Sequence, residues 1–186
     1  MKKHSTIELY TPGIVIFDPK VLDDFLKEQK ITETNIFEFF LQHENLGRLA
    51  IEEGILCPIY QIPENEYSVF LIDTLRSEHG IYDVKFSYPG FPLKVSSGLL
   101  IVSDLNSLFD WDPDFFTNYK ANYKQRLPSN DYIEVLNGLY DMTIRGCSKM
   151  KSPYADLGYG LEMKQVDKLP EIDSSTSVDD LNFSLC

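Results

Sequence analysis

The chain has 186 residues, enough for one domain whose core needs neither disulfides nor metals. With 43% hydrophobic and 13% aromatic residues it is too apolar for a disordered chain, and a net charge of −12 opposes long-range attraction to nucleic acid or to an anionic membrane. Cys57, Cys147 and Cys186 form no disulfide framework, the basic start Met1-Lys2-Lys3-His4 is followed by no apolar signal region, and no apolar run approaches the ~18 residues of a membrane helix, so a reduced, cytoplasmic protein is expected.

Two short strands are predicted first, over 6–10 and 14–17, around the turn signal Pro12-Gly13. Asp18-Pro19 then opens a helix. Asp caps free N–H groups, and Pro suits the first helical position, where no donor is needed. Val21, Leu22, Phe25 and Leu26 give this helix one apolar stripe. A second helix starts at Asn35, with Glu38 completing a capping box. Ile36, Phe37, Phe39, Phe40 and Leu41 make it apolar on nearly every side, which predicts burial. A short third helix ends at Gly54.

From Ile55 the pattern changes. Segments 55–62, 67–73, 81–88 and 93–104 are rich in Val, Ile, Tyr and Phe. Pro63-Glu64-Asn65, residues 77–80 and Pro89-Gly90 separate them. These links are too short for parallel crossovers, so an antiparallel meander is predicted. Asp112-Pro113-Asp114 opens a central helix near 113–125, with Phe115, Phe116, Tyr119 and Tyr123 on one face. Residues 132–136 and 139–145 around Asn137-Gly138 read as a β-hairpin. A last strand covers 159–166. The expected fold is α+β, with N-terminal helices packed on a mostly antiparallel sheet. One domain spans 1–168, and 169–186 form a flexible acidic and polar tail.

Catalytic motifs are lacking. Asp110, Asp112 and Asp114 imitate the opening of a calcium loop, but Phe115 stands where the loop needs Gly and Ala121 where it needs Glu. Helix capping accounts for Asp112 and Asp114. Cys57 and His43 have the residue types of a nucleophile and base, yet Cys57 lies in an apolar strand near Glu52 and Glu53, the wrong field for a thiolate. No catalytic residue, cofactor or metal ligand is assigned. Lys120, Lys124, Arg126, Lys149 and Lys151 form the one basic concentration, interleaved with Tyr119 and Tyr123, and the net charge argues against nucleic acid there.

Residues 108–116 (LFDWDPDFF) carry the only tryptophan, set between acids. Trp111 is either a core anchor or an acid-rimmed aromatic anchor for a basic partner. On the second alternative Asp104, Asp110, Trp111, Asp112 and Asp114 are the candidate partner-binding residues.

Residues 95–111 (VSSGLLIVSDLNSLFDW), residues 134–145 (EVLNGLYDMTIR) and the overall acidity resemble small bacterial immunity-type proteins of polymorphic toxin systems. The resemblance implies a stoichiometric inhibitor that plugs or masks a toxin domain, often a basic nuclease, and carries over no individual functional residue. The expected function is therefore a non-enzymatic acidic binding protein that neutralises a basic toxin domain, with no nucleic-acid or membrane partner. Two alternatives stay open: an enzyme or small-ligand-binding domain whose site is assembled from distant residues, and a protein that self-associates through strand edges. The oligomeric state is not set by the sequence.

Overall fold

The structure, a computed structural model, describes residues 1–73, 81–172 and 178–186. Strands β1 (His4–Glu8) and β2 (Gly13–Phe17) come first, followed by helices α1 (Pro19–Glu28), α2 (Ile36–Gln42) and α3 (Glu44–Glu52). Then come β3 (Leu56–Tyr60), β4 (Glu66–Leu71), β5 (Asp83–Val95) and β6 (Leu99–Asp104). Three short helices follow, α4 (Asn106–Phe109), α5 (Pro113–Thr117) and α6 (Tyr119–Asn122), and β7 (Asn130–Glu134), β8 (Gly138–Ser148) and β9 (Gly158–Val166) complete the strands.

The strands form two sheets, ordered β1-β4-β9-β8-β5 and β3-β2-β6-β7. Among the described residues only β4 and β9 pair in parallel. The run Gly-Ile-Val-Ile-Phe in β2 is apolar throughout because both of its faces are covered. Ile14 and Ile16 point into the core between the sheets, where they join Val69 of β4, Ile144 of β8 and Tyr159 of β9. Val15 and Phe17 point the other way and share a second core with Leu22, Phe25, Trp111 and Phe116 of the helical segments.

The sheets also meet at their edges. Glu134 N–H donates to Lys2 C=O (2.8 Å) and Glu8 N–H to Pro128 C=O (3.0 Å), which ties β1 to the β7 side. At the opposite edge Lys94 N–H donates to Gly54 C=O (2.8 Å). Gly54 has φ +68°, and a Cβ there would lie 2.9 Å from the Leu93 backbone, so the chain crossing needs glycine twice over.

Asp18 fixes the helical layer to this frame. Its Oδ1 accepts from the N–H groups of Lys20 (2.8 Å) and Val21 (3.1 Å), capping α1, and its Oδ2 accepts from Ser96 and Ser97, both at 2.7 Å. One fully buried carboxylate thus holds the start of α1 and the β5–β6 turn together.

Several expectations change. Two strands open the chain ahead of the helices, as expected, but the strands form two sheets rather than one. The four segments of the predicted meander are divided between the sheets: β3 and β6 lie in one, β4 and β5 in the other. The expected hairpin is likewise divided, since β7 pairs with β6 while β8 pairs with β5 and β9. Short links bridge the roughly 10 Å between packed sheets as readily as the spacing between paired strands, and the apolar alternation is the same in both cases. Pro89-Gly90 makes no turn. β5 runs through it with a register shift between Tyr88 and Phe91. The expected turn at 77–80 lies outside the described residues.

The central helix is broken into α5, α6 and a 3-10 turn over Tyr123–Gln125. Thr117 Oγ1 donates to Pro113 C=O (2.6 Å) and Asn118 Nδ2 to Asp114 C=O (3.0 Å), side-chain bonds that compete with helix propagation. The predicted tail also differs. Residues 173–177 lie outside the described set, but Phe183 is fully buried among Phe86, Tyr88 and Phe91. Its carbonyl accepts from Tyr159 Oη (2.9 Å). Composition over 170–180 concealed two apolar residues beyond it.

Two substitutions test this frame in urea unfolding. Asp18→Ala strips the acceptor from four backbone N–H groups and is expected to cost about 3 kcal/mol or more. Phe183→Ala removes a filled core position and is expected to cost about 3–5 kcal/mol. A cost near zero for Phe183→Ala would show that the C-terminal residues do not belong to the core.

Candidate functional site

Acids that are spread along the sequence are gathered by the fold. Residues 1–93 carry 15 acids and 8 bases, residues 94–186 carry 14 and 9. Yet residues 19–53 and 106–114, which build most of the helical layer, carry 11 acids against 4 bases, seven of the net twelve negative charges. None of those 11 carboxylates is buried. α1 and α5 pack together, and Trp111 N–H donates to Thr34 C=O (2.9 Å), which holds the 29–35 loop beside Asp110 and Asp112.

The five candidate residues take different places. Asp110, Asp112 and Asp114 are exposed. Asp112 also caps α5, accepting from Phe115 N–H (3.0 Å). Trp111 is only 6% exposed, stacked on Phe116 with ring planes 1° apart and set edge-on to Phe17. Tyr119 continues the stack and donates to Asn130 Oδ1 (2.5 Å). In the sequence Asp-Trp-Asp-Pro-Asp-Phe-Phe the aromatics Trp111 and Phe116 point inward and the acids outward. Asp104 is buried. Its carboxylate accepts from the N–H groups of Tyr10 (3.2 Å) and Asn106 (3.1 Å) and from Asn106 Nδ2 (3.0 Å). Burial pushes its pKa above the ordinary carboxylate range, while these hydrogen bonds act in the opposite direction. Asp104 and Trp111 thus hold the segment in place, and the three exposed acids form its face.

An apolar groove of about 440 Å³, which no local pattern announced, lies between α2, α3 and the outer face of β3. Phe37, Phe40, Leu41 and Ile51 line it, with Glu44 and Glu52 among the charged residues at its side. α2 was expected to be buried, but only Ile36 of its five large apolar residues is, and Leu41 is 63% exposed. A seven-residue helix resting on one support can bury one face only, and α2 is apolar on the others as well. Phe37 packs edge-on against Tyr60 and Phe109. Gly47 lets α3 close on α2, since a Cβ there would come within 3.1 Å of Phe40 Cβ.

Basic and aromatic residues meet in a separate cluster at the α6 end, where two of the lysines are paired with acids. Lys2 pairs with Asp131, Lys120 with Glu134, and Lys2 Nζ sits 4.5 Å above the Tyr132 ring. Arg126 lies 4.1 Å over Tyr123. Lys149 pairs with Asp83 at a distance from this cluster in the fold.

Cys57 and His43 are not brought together chemically. Burial pushes the Cys57 thiol up to about 12, which disfavours the thiolate, while His43 is exposed and stacks on Phe39 at 4.1 Å. Among the described residues no group of three or more His, Cys, Asp or Glu could hold a metal ion, and no helix is long and apolar enough to cross a membrane.

No family model matches the chain, and no curated protein matches it in sequence. Two solved structures are similar to it in shape. One is ComJ from Bacillus subtilis, an inhibitor of the DNA-degrading activity of NucA, with a TM-score of 0.46 and 10% identity over 88% of this chain and 96% of ComJ. The other is the product of crocagin biosynthetic gene J, with a TM-score of 0.44 and 11% identity over 87% of this chain and 99% of that one. At these scores neither likeness decides the fold or function of this chain.

The thiols give a simple check of burial. Cys57 and Cys147 are buried and Cys186 is exposed. At pH 8 a disulfide reagent should modify one thiol rapidly in the native protein and all three in denaturant. Rapid native reaction at a second site, mapped to Cys57, would contradict the desolvated environment.

Proposed function

We propose that the chain is a non-enzymatic acidic binding protein that neutralises a basic protein domain, in the manner of an immunity-type inhibitor of a cognate toxin. The observation that carries this is the charge distribution: 11 exposed or half-exposed carboxylates against 4 bases across the helical segments 19–53 and 106–114. A surface of this kind speeds encounter with a basic partner and repels nucleic acid. Held over the phosphate-binding cleft of a nuclease, it would occupy the place of the substrate's negative charge. Asp110, Asp112 and Asp114 are the residues proposed to face the partner, with Asp104 and Trp111 keeping their segment rigid from behind. Three cysteines that form no disulfide fit a reducing compartment such as the cytoplasm.

The test is affinity capture from the native organism at low and high salt, followed by an activity assay on the captured protein. One basic protein should be retained at 1:1, released as salt rises, and inhibited when the chain is added back. Asp110→Asn, Asp112→Asn and Asp114→Asn in combination keep the α5 cap, because Asn also caps well, and should slow association about tenfold at low salt. Retention that is indifferent to salt, or a captured protein whose activity the chain leaves unchanged, would overturn the proposal.

A further inference from the structure

We infer that the α2–α3 groove is the anchoring site for that partner and takes an amphipathic segment whose apolar side chains enter the groove and whose Lys or Arg side chains meet the acids around it. The inference rests on the acidic-binder reading and adds to it the contact that would supply most of the affinity.

Three observations lead there. First, α2 reads Ile-Phe-Glu-Phe-Phe-Leu-Gln, yet Phe37, Phe39 and Phe40 are only half-buried and Leu41 is 63% exposed. Leaving this much large apolar surface on one short helix is unfavourable for an isolated molecule and is the mark of a binding surface. Second, the surface is concave. The groove of about 440 Å³ is deep enough to desolvate several side chains, and Val15, Leu56 and Leu108 line it together with Ile172, Val178 and Asp179 of the C-terminal segment. Desolvated pockets of this kind hold the few residues that dominate binding energy. Third, the charge around it selects the occupant. Glu44 and Glu52 line the groove against Arg48, within a layer that is acidic overall. A second copy of this chain, at net charge −12, would bring acids onto acids, and an anionic membrane would be repelled. A basic amphipathic segment is complementary to both the slot and its border.

The experiment is an NMR titration of the ¹⁵N-labelled full chain with two synthetic peptides of equal length and charge, one alternating Lys and Leu at helical spacing, the other Lys and Gly. The Lys/Leu peptide is expected to shift the resonances of Phe37, Phe40, Leu41 and Ile51 and to bind at least about tenfold more tightly than the Lys/Gly peptide. Leu41→Asp gives the decisive variant, because Leu41 is exposed enough for the fold to tolerate it. It adds negative charge, so electrostatics alone predicts tighter binding of the Lys/Leu peptide, whereas the groove predicts binding weakened about tenfold. Equal affinity for the two peptides, or tighter binding by Leu41→Asp, would overturn the groove and leave the acidic-binder reading standing. Failure of both peptides to bind would overturn both. A dimer in sedimentation that Leu41→Asp dissolves would assign the groove to a second copy instead.

Discussion

A single buried carboxylate sets the geometry on which the acidic helical layer depends. Asp18 accepts four backbone N–H groups, two from the first turn of α1 and two from the turn between β5 and β6. Helix starts and tight turns both leave N–H groups without partners, and each would be costly if buried alone. Joining the two sets on one side chain fixes the direction in which the chain leaves β2 and the position of the β5–β6 turn beside it. α1 then packs on α5, and the Asp110–Asp114 segment is held beside the 29–35 loop.

The sandwich beneath supplies rigidity. Its two sheets share one core and are hydrogen-bonded to each other near both edges, so the outer face of the four-stranded sheet is a firm base for short helices that could not hold their shape alone. On that base the distribution of charge is uneven. Near the α6 end Lys2 and Lys120 pair with Asp131 and Glu134 and Arg126 lies over Tyr123, whereas in the helical layer, where acids outnumber bases, only Asp23 and Asp24 among the described residues pair with lysines, Lys27 and Lys20. Gathering so many like charges on one layer opposes folding through self-repulsion, and a basic partner would relieve it.

What the sequence revealed follows from the range of the forces involved. Asp18-Pro19 and Asp112-Pro113 marked helix starts because capping is settled within three residues. The last strand was legible through the alternation of Tyr159, Leu161 and Met163 with Gly160, Glu162 and Lys164. Sheet membership was not, because Ile133 of β7 and Tyr140 of β8 face one shared core whether their strands pair or oppose each other across it. The acids at 110, 112 and 114 were readable as surface, and Trp111 was left between two alternatives that only packing decides. The groove escaped notice because an apolar helix predicts burial, and nothing local says that part of α2 lines a groove. The final turn of chain escaped because two apolar residues, Phe183 and Leu185, sit in a polar stretch.

The central claim is that the helical layer is the face that meets the partner. Hydrogen–deuterium exchange on the 1:1 complex addresses it most directly. New protection confined to α2, α3 and the 106–117 segment, with the five-stranded sheet unchanged, is the predicted result. Protection on the outer face of that sheet, around Arg145 and Glu162, with the helical layer exchanging as in the free protein, would contradict it.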